Sequence, residues 1–423
     1  MQHINLTGKS VLLGVTGSIS AYKACDLARL FVKAGADVHV VMTPSAERFV
    51  LPLTFEALTR NAVLTEQSES WSSELNHIEI GKKCDIFIVA PATANTLNKL
   101  SKGVADTILT QTALAFKGTL IVAPSANTQM LANHYTVGSL KMLGVNDVVI
   151  VEPQVKTLAC GDEGKGALAD VEEIFFEGAK ALLQEPFWQD RRVVVTGGGT
   201  REKIDEVRYI SNFSSGKMAK SIALELYLKG ADVCYLSTMG NSGLPQSLYT
   251  IEIESAKEML EYTIDAVRVA KKGKMSKSSM NHTDAPYLIQ KEPYLFMVSA
   301  VADYTPKFPQ SGKLKKSMIG DEWSIELKQT TDILSNINKE GLKTIAFKAE
   351  MDSQTGLESA KNLLTQKGVD GVCYNLLKDA TSFGGEENEI TFITPQRAYA
   401  LGRHTKSLLA QNIVKHAKAL LDA

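Results

Sequence analysis

Short apolar runs separated by stretches of helical periodicity recur along the chain, and their order predicts parallel-sheet α/β structure. Residues 10–15 (SVLLGV) form one such run, followed by a helical pattern over about 19–33 and a second run over 36–42 (ADVHVVM). This strand–turn–helix–strand order makes a βαβ unit, which requires parallel strands with helices on the sheet faces. Residues 85–90, 118–123 and 147–151 read as three more strands, and 171–183 as the helix that closes this half. Residues 184–192 (QEPFWQDRR) form a short polar link, which places a domain boundary near 188 and divides the chain into 1–188 and 189–423. The pattern then repeats. A β-branched run, 193–195, predicts a buried strand. A helix over 217–229, a strand over 232–237, a helix over 255–270 and a strand over 295–299 follow it. Residues 271–293 are cationic and polar and predict an exposed loop. The expectation is two Rossmann-like three-layer α/β domains with ligands at the carboxyl ends of the strands.

Composition narrows the function classes. Hydrophobic content of 44% and charged content of 22% are those of an ordinary globular protein, and 423 residues supply two or three cores. A net charge of −1 gives no basic field for nucleic acid or anionic membranes. No apolar run reaches the ~20 residues of a membrane span. The start, MQHINLTGKSVLLGV, lacks the regions of a signal peptide. Five cysteines (Cys25, Cys84, Cys160, Cys234 and Cys373) show no zinc spacing, which points to a reducing cytoplasm.

Candidate chemistry gathers at the predicted strand ends. After the strand over 193–195 comes TGGGTREKIDEVRYISNFSSGKMA, residues 196–219. Its glycines, Gly198 among them, let the backbone turn and approach a ligand. Arg201, Arg208, Asn212, Ser214, Ser215, Gly216 and Lys217 then come as a helix begins, and together they are expected to make an anion site. A serine-rich cap on a surface helix would explain the serines but not the convergence of so many donors. In the first half, Gly17-Ser18 opens a helix and can seat a phosphate, although Gly-Ser also caps helices. Thr43, Thr93 and Asn95 add polar groups at neighbouring strand ends.

The 196–219 stretch resembles the signature of phosphopantothenate–cysteine ligases. Nearly the whole chain resembles the bacterial bifunctional family of coenzyme A biosynthesis, in which an FMN-dependent phosphopantothenoylcysteine decarboxylase precedes the ligase. APATANT (residues 90–96) with GVAD (103–106) resembles the FMN-binding core of cysteine-decarboxylase flavoproteins. The resemblance makes Gly17, Ser18, Thr43, Thr93, Asn95 and Asp106 candidates to hold FMN. A lone histidine is more often structural, but His77, in NHIEI, occupies the family's active-site position and would act on the substrate thiol. Asn127, in PSANTQM, would hold the substrate carboxylate; Ala126 replaces the methionine usual in the family. Cys160, in ACGDEGKG, would donate the final proton. FMN would supply the electron sink for loss of CO2.

In the second half, AVADY (300–304) resembles the ligase nucleotide site, with Asp303 at the nucleotide or its ribose. Lys313 matches the lysine that faces the triphosphate. Thr330, Thr331, Asp332 and Ile333 stand where the family often has Asn-Pro-Asp-Ile. Phe347 would line the base pocket and Lys367 the phosphates, while Asn212 would hold the acyl-nucleotide. The resemblance implies activation of 4′-phosphopantothenate by CTP or ATP with Mg2+, capture by L-cysteine, and a homo-oligomer with flavin at a subunit interface. Two other readings compete. An NAD(P) oxidoreductase lacks its Gly-x-Gly-x-x-Gly here. A non-enzymatic flavoprotein would not need His77, Asn127 and Cys160 together.

Overall fold

The apolar runs of the first half become strands β1 (Ser10–Val15), β2 (Asp37–Met42), β3 (Ile86–Ala92), β4 (Thr119–Pro124) and β5 (Val149–Ile150). The structure is a computed structural model that describes residues 4–157, 163–280, 285–315, 320, 322–351, 355–377 and 384–421. It divides into two units: Met1–Gln184 with Ser276–Tyr287, and Glu185–Met275 with Leu288–Ala423.

In the first unit the strands run parallel in the order β2-β1-β3-β4-β5. Val11 to Val15 are all buried, as expected of strands covered on both faces. Helices Lys23–Lys33 and Val171–Leu183 cover one face, with the Phe31 and Phe175 rings 4.9 Å apart. On the other face Leu12, Phe87, Val89 and Val122 pack with Leu97, Ile108, Leu109 and Leu143 from three helices. The helix expected over 19–33 is broken. Ile19–Tyr22 is a 3-10 turn, and the α-helix starts at Lys23. The Ser18 side chain accepts from the Ser20 N–H at 3.2 Å, which favours the tighter turn at this entry.

In the second unit six parallel strands lie in the order Tyr249–Glu252, Asp232–Ser237, Arg192–Gly197, Tyr294–Met297, Lys343–Glu350, Gly371–Leu376. Numbered along the chain that order is 3-2-1-4-5-6, the doubly wound arrangement. Glu387–Ile393 and Ala398–Thr405 then return antiparallel at the edge. Val194, Leu236 and Leu295 pack against Met259 and Val267 of the Ala256–Ala270 helix. Ser255 and Glu258 cap that helix reciprocally in a capping box. Helix Lys217–Leu228 packs with Lys406–Lys418. Two short antiparallel pairs were not expected from the sequence pattern: Arg201–Lys203 with Tyr209–Ser211, and Tyr304–Pro306 with Leu327–Gln329. Nor was 271–293 wholly a loop, since Lys274–Met275 pairs with Leu288–Ile289. Among the described residues no helix is long and apolar enough to cross a membrane.

Candidate functional sites

In the first unit a cleft of about 800 Å³ opens at the carboxyl ends of β1 to β4. It lies over the junction of β1 and β3, where the strand order reverses, the place such sheets bind ligands. Thr16 sets its floor. Its hydroxyl donates to the Pro91 carbonyl at 2.6 Å and accepts from the Thr93 N–H at 3.1 Å, locking the β1 and β3 loops together. A Cβ on Gly17 would stand 2.5 Å from Cβ of Ser45, so this turn has no room for a side chain and leaves its backbone open. Ser18, Ser20 and Ser125 form a hydroxyl cluster, with Oγ–Oγ distances of 3.2 Å (Ser18–Ser125) and 3.1 Å (Ser125–Ser20). Thr43 caps the helix that follows by accepting from Ala46 N–H at 3.3 Å, which keeps its own O–H to offer. Thr93 caps Ala94–Leu100, and Asn95 lines the same cleft. A rim of hydroxyls around a turn closed to side chains suits the phosphate and ribityl oxygens of a flavin nucleotide.

Asp106 is not in the lining. It pairs with Lys99 at 2.7 Å, and that hydrogen bond holds its carboxyl below its ordinary range; Lys99 is the one that faces the cleft. Asn127 lines the cleft while its Oδ1 accepts from Gln129 N–H at 2.9 Å. His77 lies outside the lining. Its Nδ1 is 2.7 Å from Glu69 Oε1, and its ring meets Trp71 edge-on with centroids 5.7 Å apart. Cys160 is outside the described residues. The strands on either side of it, Gln154–Thr157 and Glu163–Ala167, contribute Lys156, Gly166 and Ala167 to the cleft wall.

The second unit has its own cleft, about 710 Å³, at the matching reversal between Arg192–Gly197 and Tyr294–Met297. Asn212, Ser214, Ser215, Gly216, Lys217, Asp303 and Phe347 all line it. Asn212 is fixed by its Nδ2, which donates to the Val301 carbonyl at 2.9 Å. Gly216, with φ 66°, caps Lys217–Leu228 without a side-chain cap bond. Gly198 lies behind the lining with φ 85°, and a Cβ there would be 2.1 Å from Thr238 Oγ1. Thr330 does not line the cleft but braces it, its hydroxyl donating to Ala302 at 2.6 Å and its N–H to Asp303 at 2.9 Å. Thr330 and Thr331 line a separate groove with Arg201 and Lys203. Asp332 caps Ile333–Asn336 and takes Lys367 at 2.6 Å, while Ile333 is buried in the core. Lys313 is exposed and outside the lining, on a segment whose Leu314 N–H donates to the buried Asp205 at 3.2 Å. Lys406 lines the cleft, and nothing in its local pattern singled it out. Among the described residues no three His, Cys, Asp or Glu gather as a metal site.

Two doubly wound α/β units, each with a polar cleft at its strand-order reversal, define a two-site protein of the nucleotide- and flavin-binding class. The family model described as Flavoprotein matches residues 2–180, and that described as DNA/pantothenate metabolism flavoprotein C-terminal domain matches 188–276 and 263–421. The chain is 34% identical over 420 residues to the coenzyme A biosynthesis bifunctional protein CoaBC of Haemophilus influenzae, covering 97% of each. It is 35% identical over 391 residues to that of Bacillus subtilis, covering 91% and 90%. For that of Vibrio vulnificus the figures are 32% over 421 residues, 98% and 99%. The chain belongs to the CoaBC family of bifunctional coenzyme A biosynthesis proteins.

Proposed function

We propose that the chain joins 4′-phosphopantothenate to L-cysteine with a nucleoside triphosphate, CTP in our reading, and then decarboxylates the product to 4′-phosphopantetheine with FMN. The ligase is assigned to 189–423 and the decarboxylase to 1–188. What carries the reading is family membership over the full length, joined to two separate clefts at two strand-order reversals.

In the ligase the substrate carboxylate attacks the α-phosphate and pyrophosphate leaves; the cysteine amine then displaces the nucleoside monophosphate. Two anions must meet, so Lys217 and the open helix start behind Gly216 offset their repulsion, with Mg2+ entering on the triphosphate. Asn212 and Asp303 stand in the same cleft to hold the acyl group and the ribose or base, with Phe347 as an apolar wall. Lys313 and Lys367 are assigned to the phosphates, although neither lines the cleft: Lys313 is exposed, and Lys367, the last residue of the Gly356–Lys367 helix, pairs with Asp332.

When bound, FMN supplies the reversible oxidation of the cysteinyl CH2–SH that lets CO2 depart. The Glu69 carboxylate fixes the proton on His77 Nδ1, leaving Nε2 as the base for the thiol. The Asn127 amide holds the departing carboxylate, and Cys160 returns a proton. On family membership we assign the chain to a homo-oligomer with flavin at a subunit interface, where His77, outside the single-chain cleft, would act.

A coupled assay with 4′-phosphopantothenate, cysteine and Mg2+, given CTP or ATP separately, tests the proposal by following pyrophosphate and CO2. Pyrophosphate followed by CO2 is expected, fastest with CTP. Folded, flavin-loaded protein that forms neither product would sink the enzyme reading.

A further inference from the structure

Lys406 is the first residue of the Lys406–Lys418 helix, only 5% exposed, and it lines the second cleft. A lysine there is unfavourable twice over. Burial strips water from its charge, and the positive end of a helix repels a cation. Burial, helped by nearby Lys217 and opposed by Glu386, pushes its proton affinity down. What it touches is slight for a buried cation: its Nζ donates to the Gly385 carbonyl at 2.5 Å.

The neighbouring helix, Lys217–Leu228, packs against this one and also begins with a lysine on the cleft. Lys217 Nζ pairs with the Glu386 carboxylate and donates to the Gly384 carbonyl at 3.1 Å. Two lysines at two helix starts thus converge on one short segment, 384–386. The Glu386 side chain that meets them is 71% exposed. Such a carboxylate can swing into water readily, unlike a buried partner. In the same wall, Asn375 Oδ1 is buried with no hydrogen-bond partner. Two cations and an orphaned acceptor are the remains of a binding site waiting for an anion that also carries a donor.

We propose that Lys406 is a further anion-binding residue of the ligase cleft, gripping a ligand phosphate together with Lys217, and that Glu386 holds that place until the ligand arrives. This rests on the ligase reading for which phosphate is meant, but the anion seat itself does not depend on it. An arriving phosphate displaces the Glu386 side chain and meets Lys217, Lys406 and the uncapped amides at the start of the Lys217–Leu228 helix. A phosphate hydroxyl or a nucleotide donor reaches Asn375.

The test is calorimetric titration of the full-length, flavin-loaded protein with two probes, inorganic pyrophosphate and CTP, each with Mg2+. The variants are Lys406→Met, Lys406→Arg and Glu386→Gln, with thermal unfolding measured for each. Met matches the length of lysine and suits a buried position, so folding should survive. Lys406→Met should bind both probes about ten-fold or more weakly, as loss of one charge-assisted contact implies. Lys406→Arg should recover part of that loss, and Glu386→Gln should bind both probes more tightly than wild type. Lys406→Met that folds and binds both as well as wild type overturns the inference while leaving the ligase reading standing. Wild type that binds pyrophosphate but not CTP, with Lys406→Met defective for pyrophosphate, sustains the inference and overturns the nucleotide reading. Weaker binding by Glu386→Gln would show that Glu386 helps the ligand and would overturn its role as a stand-in.

Discussion

Gly17→Ala should strip the flavin while leaving the ligase intact. The new Cβ would sit 2.5 Å from Cβ of Ser45 and 3.0 Å from its carbonyl carbon. Carbon atoms in contact prefer about 3.5–4.0 Å, so one of the two segments must move by about 1 Å or more. Neither can yield cheaply, because Ser45 belongs to the Pro44–Glu47 turn of helix that Thr43 caps, and Gly17 follows β1 directly. Overpacking of this kind costs about 1–3 kcal/mol. In a unit this size that lowers Tm by about 2–4 °C for each kcal/mol. The effect on flavin should be larger in proportion. A displaced turn forfeits at least one hydrogen bond to the phosphate, worth about 1.5–3 kcal/mol for a charged partner, or roughly 10–100-fold in Kd. Flavin per protein after purification, followed by FMN titration of the deflavinated chain, measures it. Gly138→Ala is the control. It lies within the His134–Val145 helix with nothing within 4 Å of the new Cβ, and should raise stability by about 0.5–1 kcal/mol without touching flavin. Gly17→Ala with wild-type flavin content and affinity would refute the placement of the phosphate at this turn.

Three further outcomes follow from particular contacts. His77→Asn should cut CO2 release by about 10²–10⁴-fold and Glu69→Gln by less, with pyrophosphate release unchanged in both; full decarboxylation in Glu69→Gln would remove the orienting role of the 2.7 Å contact. Gly198→Ala combines φ 85° with a Cβ 2.1 Å from Thr238 Oγ1, so pyrophosphate release should collapse while flavin content stays normal. Glu225 is a stability probe. Burial, the largest influence, raises its proton affinity, Lys229 at 3.8 Å opposes this, and Glu185 adds to it. Its folded-state pKa therefore exceeds the unfolded one, so its contribution is full below the ordinary glutamate value of about 4.3 and is lost as pH rises through the folded value. Denaturant unfolding should show that decline in wild type and lack it in Glu225→Gln; identical profiles would refute the shift.

Much of the fold could be read in advance because parallel strands buried on both faces leave a compositional trace. Residues 10–15 were expected as a strand and are one; 36–42 begins one residue early, and 85–90 and 118–123 are off by one or two residues at both ends. The 147–151 run keeps only Val149–Ile150, since an edge strand with one neighbour has fewer ladder bonds to define its ends. Two helix starts were passed over although Pro44 and Pro52 both stand in the first turn, a position proline favours. The three-residue antiparallel pairs at 201–211 and 304–329 are too short for any periodicity to show. Strand order, and hence where the clefts fall, depends on pairing between distant segments that no local window contains.

The same distinction separates the site residues. Gly17, Ser18, Thr43 and Thr93 each follow a parallel strand by one to three residues, and adjacent parallel strands bring their carboxyl ends together whatever the loops do. Asn212 and Lys217 lie farther from their strand, yet the Gly198 turn and the helix start deliver them to the cleft. Lys313, Thr331 and Lys367 have no such geometric guarantee, and the structure finds each outside the lining. Lys406 shows the converse. It reaches the cleft because Glu387–Ile393 and Ala398–Thr405 turn the chain back antiparallel, so that the start of the next helix arrives at the same sheet end as the carboxyl termini of the parallel strands. Nothing around Lys406 in the sequence distinguishes it from a solvated lysine opening a surface helix. Only its burial beside Lys217 does, and a buried cation at the positive end of a helix carries an electrostatic cost that an arriving anion would relieve.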